Sequence, residues 1–64
     1  MMLLQANYNM SFDNGKFYEG HTYKGEVDPK NPEEFIIHAE DGQKQRMTQH
    51  DLDVFFTELD VHLM

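Results

Sequence analysis

The chain contains no cysteine and no tryptophan, and only five of its 64 residues are lysine or arginine. Without cysteine, neither a disulfide framework nor a thiolate metal site can stabilise the fold. Twelve aspartates and glutamates give a formal net charge of −7. A field of that sign repels the phosphate backbone of nucleic acids and an anionic membrane surface. We therefore expect no direct nucleic-acid binding and no membrane association, and we expect a larger partner protein that is basic or itself binds nucleic acid.

The sequence also lacks any apolar segment long enough to span a bilayer. The longest uncharged run, Met1 to Phe12, is short and is interrupted by four polar residues. It lacks the basic start and small-residue cleavage site of a secretory signal. Together with the absence of cysteine, this favours the cytoplasm. A chain of this length is predicted to be one domain near the lower size limit for folding alone, so partner binding or oligomerisation would add stability.

The first part of the sequence predicts an antiparallel hairpin. Apolar residues at 4, 6, 8, 10 and 12 alternate with polar ones, which is typical of a strand with one buried face. The next four residues, 13–16, read Asp-Asn-Gly-Lys, and Asn-Gly favours a type I′ turn because both residues adopt positive φ. The pattern therefore places Asp13 opposite Lys16 and Phe12 close to Phe17.

The middle of the chain predicts further strands and turns. Residues 16–27 continue as a strand, with Phe17, Tyr23 and Val27 on one face, and Gly20 and Gly25 indicate bends that curl the sheet. Two prolines make residues 28–32 a loop. Residues 34–39 read as a buried strand, 40–43 as a second hairpin turn, and 44–47 as a polar outer strand.

The C-terminal region predicts an amphipathic helix from about residue 49 to about residue 62. Thr48 is a suitable N-cap, and Asp51 completes a capping box. Apolar residues at 52, 55, 56, 59 and 63 form one helical face. The run 54–57, Val-Phe-Phe-Thr, also favours a strand, so a short helix followed by a final strand stays an alternative.

The predicted fold class is α+β, with a small curled antiparallel sheet of four or five strands over residues 3–47 and a C-terminal amphipathic helix packed across it. Residues 1–64 form a single domain. The predicted core consists of Leu4, Tyr8, Met10, Phe12, Phe17, Tyr23, Phe35, Ile37, Leu52, Phe55, Phe56 and Leu59.

The sequence contains few of the residues and motifs that enzymes use for catalysis. Cysteine is absent, Ser11 is the one serine, and the four glycines are too scattered to cradle a phosphate. A chain this small can hardly enclose a substrate cleft while also building a core. The four histidines show no spacing typical of a zinc site. Tyr8, Phe17, Tyr18 and Tyr23 could stack on bases, but we expect these aromatics to be core or half-buried residues. The basic residues are also too few to form a phosphate track. We predict that the protein is not an enzyme and holds neither a metal nor a cofactor.

Acidic residues form the candidate partner-binding surface. On the predicted helix, Asp53 and Asp60 line one edge of the apolar face, and Asp51 and Glu58 line the other. The members of each pair are seven residues apart, about 10 Å along a helix. Two such rows could imitate a DNA backbone for a DNA-binding protein, which is the DNA-mimic hypothesis. The alternative is a solvated face in which Asp51 and Asp53 complement the positive helix N-terminus.

Two further groups complete the candidate surface. Val54 and Val61 lie on the outward side of the predicted helix, which indicates contact with a partner or self-association. A second negative patch is predicted at Glu33, Glu34, Glu40 and Asp41.

Several fragments of the sequence resemble small SH3-like barrel proteins, many of which are encoded by bacteriophages. The fragments are residues 20–27 (GHTYKGEV), 34–37 (EFII) and 40–43 (EDGQ), followed by Leu52 and Phe55. In such proteins a Gly-x-x-Tyr strand precedes a hydrophobic strand, an acidic-Gly turn, a polar strand and a closing apolar segment. The resemblance implies a small barrel that binds and inhibits or retunes a host protein in the host cytoplasm, and it assigns no functional residue.

We therefore predict a non-catalytic protein-binding module whose acidic rim selects the partner while an apolar anchor supplies most of the affinity. One alternative is a self-associating subunit, in which the uncharged N-terminal strand pairs with its copy across a sheet edge to form a homodimer. The other alternative is a module that binds a small ligand or a metal.

Overall fold

A computed structural model describes residues 2–59 of the chain, which form two antiparallel sheets and one short helix. In chain order the elements are β1 (Met2–Ala6), β2 (Met10–Phe12), β3 (Gly15–Phe17), β4 (Thr22–Asp28), β5 (Asn31–His38), β6 (Lys44–Thr48), α1 (Gln49–Phe55) and β7 (Phe56–Leu59). The larger sheet has the order β6-β5-β4-β1-β7, and β2 pairs with β3 in a separate hairpin. The molecule is therefore mostly sheet, and its helix is short.

The N-terminal strand lies inside the larger sheet. Leu3 of β1 pairs with Lys24 of β4 on one side and with Leu59 of β7 on the other. Because both edges of β1 are already hydrogen-bonded, it cannot pair with a second copy of itself. Residues 2–6 therefore offer no free sheet edge for the predicted dimer.

The hydrophobic core is centred on Phe17, which is fully buried. Its ring meets those of Phe12, Tyr23 and Phe56 edge to face, at centroid distances of 5.9, 4.8 and 5.3 Å. The buried apolar residues among positions 2–59 are Leu4, Ala6, Phe17, Tyr23, Ile37, Ala39, Met47, Leu52 and Phe56. Most of the predicted core is thus buried or packed against it, and Met10, Phe12, Phe35 and Phe55 are half-buried against this cluster.

The predicted core position of Tyr8 is wrong, and Val27 does not share the burial of Phe17 and Tyr23, with which it was predicted to share a face. Tyr8 is 56% exposed because β1 ends at Ala6 and the chain bends through residues 7–9 before β2 begins. Val27 is 49% exposed because the pairing of β4 with β5 shifts register between Val27 and Asp28. This irregularity buries the Asp28 side chain instead.

The hairpin of β2 and β3 is confirmed, but its turn is displaced by one residue. Ser11 pairs with Lys16 and Phe12 with Gly15, so the turn consists of Asp13 and Asn14. No non-glycine residue in the described chain has positive φ, which excludes a type I′ turn. Gly15 is instead required in β3, because a Cβ atom there would collide with the Cβ of Ala39.

The capping box at the start of α1 is confirmed. The Asp51 amide donates to Thr48 Oγ1 at 3.2 Å, and the Thr48 amide donates to Asp51 Oδ2 at 3.1 Å. The second predicted hairpin, between β5 and β6, is likewise present with its turn at residues 40–43.

The predicted helix from 49 to 62 is wrong, because α1 ends at Phe55 and residues 56–59 form β7. Phe56 is extended, with φ −131° and ψ 159°, and pairs with Ala6 of β1. Pairing with β1 brings the Phe56 ring into the core, so the alternative of a short helix followed by a strand is the observed structure. Leu63, at the end of the predicted apolar face, lies outside the described residues. None of the helical structure in residues 2–59 has the length and hydropathy needed to cross a membrane.

Candidate functional site

Within residues 2–59, Asp51, Asp53 and Glu58 do not form two helical rows. Asp51 is engaged in the capping box, and Asp53 accepts a hydrogen bond from Gln49 Nε2 at 3.0 Å. Glu58 lies on β7 rather than on a helix, opposite Leu4 of β1. Asp60 and Val61 fall outside the described residues. Val54 is on α1 and is 44% exposed, as expected of an outward-facing residue.

The second predicted patch is divided between the two ends of β5. Glu33 and Glu34 lie near its start, and Glu34 accepts from Asn31 Nδ2 at 2.9 Å. Glu40 and Asp41 lie in the turn after its end, where Asp41 Oδ1 accepts from the Gln43 amide at 3.2 Å. The four carboxylates therefore lie as two pairs at opposite ends of β5.

A different group of exposed residues is brought together by two loops, residues 7–9 and 18–21. The Gly20 amide donates to the Ala6 carbonyl at 2.9 Å, and the Ala6 amide donates to the His21 carbonyl at 3.0 Å. The Glu19 amide donates to Asn9 Oδ1 at 2.8 Å, which links the two loops directly. The loops are therefore fixed to each other and to the end of β1.

A polar network further fixes the second loop. The Tyr18 amide donates to the Tyr23 hydroxyl at 2.8 Å, and His21 Nδ1 lies 3.1 Å from Glu40 Oε1. Burial raises the pKa of Tyr23 above its usual 10.0, the hydrogen bond from the Tyr18 amide partly opposes this shift, and the negative charge of Glu40 adds to it. The Tyr18 and His21 rings meet edge to face at 5.8 Å. These contacts determine the position of the Tyr18 backbone and ring.

Two tyrosines remain exposed on these fixed loops, Tyr8 at 56% and Tyr18 at 42%. Beside Tyr18 is an open, shallow depression on the outer side of the hairpin of β2 and β3. It is lined by Asn9, Met10, Ser11, Lys16 and Tyr18. We call these five residues the tyrosine face, together with Tyr8, which precedes the lining residue Asn9 in the loop 7–9.

Sequence reasoning missed the tyrosine face because it assigned Tyr8 to the core and treated Tyr18 as a half-buried aromatic. A signal was present, however. Asn7 and Asn9 flank Tyr8, and asparagine favours turns over strand interiors. That pair predicts a break after Ala6, which would leave Tyr8 in a loop.

Two of the described histidines each lie near a single carboxylate. His21 approaches Glu40, and His38 Nε2 lies 3.6 Å from Glu26 Oε1. Within residues 2–59, no group of three or more potential ligands is positioned to hold a metal ion. Comparison of the chain with protein-family models, curated proteins and solved structures finds no match.

Proposed function

We propose that this chain is a non-catalytic protein-binding module that inhibits or retunes a larger protein, and that it docks through the tyrosine face. The observation that carries the proposal is the exposure of Tyr8 and Tyr18 on loops that backbone hydrogen bonds hold in place. Tyrosine supplies a large, amphipathic contact surface with few rotatable bonds, and it is enriched among the residues that dominate binding energy. Fixed loops reduce the entropy lost on binding.

The shape of the depression favours a protein partner over a small molecule. Small-ligand sites are enclosed, and they typically bury about 70–90% of the ligand surface. The depression beside Tyr18 is shallow and open to solvent. Such a depression can accept one side chain that projects from the surface of a partner protein. The rest of the tyrosine face would then contact the partner residues around that side chain.

Net charge supplies the second part of the proposal. A formal charge of −7 accelerates encounter with a basic partner, whereas the affinity comes mainly from the tyrosines. Asp53 and Glu58 lie on different elements, α1 and β7, so the acidic residues contribute a diffuse field rather than two ordered rows. The DNA-mimic version therefore loses its geometric basis.

We further propose that the chain is an SH3-like protein of the phage-encoded kind, acting in the host cytoplasm. The positions of the sequence fragments support this. Residues 20–27 lead into and form most of β4, residues 34–37 lie on β5, residues 40–43 form the turn, and Leu52 and Phe55 lie on α1. These fragments follow one another along a single antiparallel sheet that β7 completes beside β1.

Affinity capture from host lysate, followed by measurement of Kd with the purified partner, tests the proposed function. The double variant Tyr8→Ser, Tyr18→Ser should lose the partner, because it removes both exposed rings. Val27→Ser, Val54→Ser is a matched control, since these side chains are 49% and 44% exposed and lie elsewhere. The control should retain the partner.

Equal capture by both double variants would show that the docking surface lies elsewhere. Sedimentation of the purified chain tests the alternative of self-association. A tight homo-oligomer that captures no other protein would replace the proposal with a structural subunit.

A further inference from the structure

Lys16 is an unusual residue for the tyrosine face, because it places a positive charge at the docking surface of a strongly acidic protein. The ion pairs found among residues 2–59 involve His21, His38 and Arg46, and none of them includes Lys16. Lys16 is exposed and lies on β3, within the lining of the depression.

The side chains around Lys16 make the depression rich in hydrogen-bond donors. Ser11 is the cross-strand partner of Lys16 and adds a hydroxyl group. Asn9 uses its Oδ1 atom to accept from the Glu19 amide, which leaves its NH₂ group to donate to a ligand. The lysine ammonium has three donors and no acceptor. This combination suits a group that only accepts hydrogen bonds and carries negative charge.

The remaining lining is partly apolar. Met10 contributes a thioether and Tyr18 contributes a half-exposed ring. Both groups provide contact area for an aliphatic or aromatic side chain next to the anion. The depression therefore combines an anion-binding side with an apolar side.

We propose that this depression receives a carboxylate side chain, Asp or Glu, of the partner protein, with an adjacent apolar side chain lying against Met10 and Tyr18. This inference rests on the proposed function and names what the docking surface recognises. A nucleic acid is disfavoured as the occupant because one lysine in a chain of net charge −7 cannot neutralise a series of phosphates.

Lys16 gives the depression a positive charge, opposite in sign to the net charge of the protein, and this difference affects which partners bind. The overall negative field attracts basic surfaces in general, and Lys16 then requires one acidic residue at a defined position within such a surface. A basic protein without that carboxylate would leave the ammonium without its charged partner, which lowers affinity.

Titration of the ¹⁵N-labelled chain with a capped tripeptide, N-acetyl-Leu-Glu-Leu-amide, tests the inference by NMR. Its glutamate is the sole carboxylate of the peptide. We expect chemical-shift changes at residues 9–11 and 16–18. The glutamine version should bind about tenfold more weakly or not at all, because a hydrogen bond to a charged group is replaced by a neutral one.

Two lysine variants make the test specific. Lys16→Met should abolish the response to the glutamate peptide. Lys30→Met removes the same charge from an exposed lysine in the turn between β4 and β5, and it should leave the response unchanged. Equal loss in both variants would overturn the inference in favour of a general charge effect.

Two further results would also overturn it. One is the absence of any shift at the tyrosine face. The other is binding of a phosphoserine tripeptide in the depression while the glutamate peptide does not bind. The capture experiment separates this inference from the proposed function. If Lys16→Met retains the partner fully while the tyrosine double variant loses it, the carboxylate inference alone is refuted. Retention by both would refute the proposed function.

Discussion

Replacement of Phe17 by alanine should remove a large part of the protein's free energy of unfolding. Phe17 is fully buried and packs against three other aromatic rings. Truncation of a buried phenylalanine to alanine costs about 3–5 kcal/mol, since it removes apolar contacts and leaves a cavity. A domain of 64 residues is expected to have a free energy of unfolding of about 3–10 kcal/mol. The substitution therefore removes between about a third and all of the stability.

Urea unfolding followed by far-UV circular dichroism measures this effect, with tyrosine near-UV circular dichroism as a second probe because the chain has no tryptophan. Tyr8→Ala is the matched control. Tyr8 is 56% exposed, so its replacement should change the free energy of unfolding by less than about 0.5 kcal/mol. A Phe17→Ala variant with the midpoint of the unsubstituted chain would refute this description of the core. Equal destabilisation by Tyr8→Ala would refute the exposure of the tyrosine face.

Three further predictions concern stability and are checked by the urea midpoint. Thr48→Ala should lower the free energy of unfolding by about 1 kcal/mol because it removes the N-cap of α1; an unchanged midpoint would contradict the cap. Gly25→Ala should cost about 1–3 kcal/mol, since its Cβ would lie 2.8 Å from Ile37 Cδ1; a stabilised variant would contradict this packing. The raised pKa of Tyr23 means that the folded chain holds this proton more tightly than the unfolded chain. Its contribution is therefore complete below pH 10 and is lost as pH rises through the folded pKa. Tyr23→Phe should weaken the alkaline decline in stability, and an identical decline in both proteins would refute the assignment.

Local sequence signals predicted several elements correctly because each depends on neighbouring residues. The hairpin before Phe17 follows from a turn-forming Asp-Asn-Gly sequence between two apolar segments. The start of α1 follows from Thr48 and Asp51, whose two hydrogen bonds close within one turn. Such signals carry no information about strands that are distant in the sequence. The predictions made from them are therefore wrong where pairing between distant strands determines the secondary structure.

The end of α1 is such a case. The spacing of Leu52, Phe55 and Phe56 fits a helix, but it also fits one helical turn followed by an extended residue that points to the same core. Pairing of Phe56 with Ala6, fifty residues earlier in the chain, favours the second arrangement. The strand propensity of residues 54–57 indicated this arrangement as an alternative, and pairing with the edge of β1 selects it.

The candidate site was less predictable than the fold. Charge composition predicted a basic partner, yet the carboxylates of α1, β5 and β7 are dispersed. The tyrosine face depends on where β1 ends and on hydrogen bonds between loops at residues 7–9 and 18–21. An exposed tyrosine and a buried one look alike in an alternating sequence, so Tyr8 was assigned to the wrong side.

Hydrogen exchange of the chain, alone and bound to the captured partner, tests the central claim most directly. Docking through the tyrosine face predicts slower exchange of the amides of residues 8–11 and 16–19 in the complex. Residues 49–59, which form α1 and β7, should exchange at the same rate with and without the partner. Protection confined to residues 49–59, with no change around Tyr8 and Tyr18, would contradict the account.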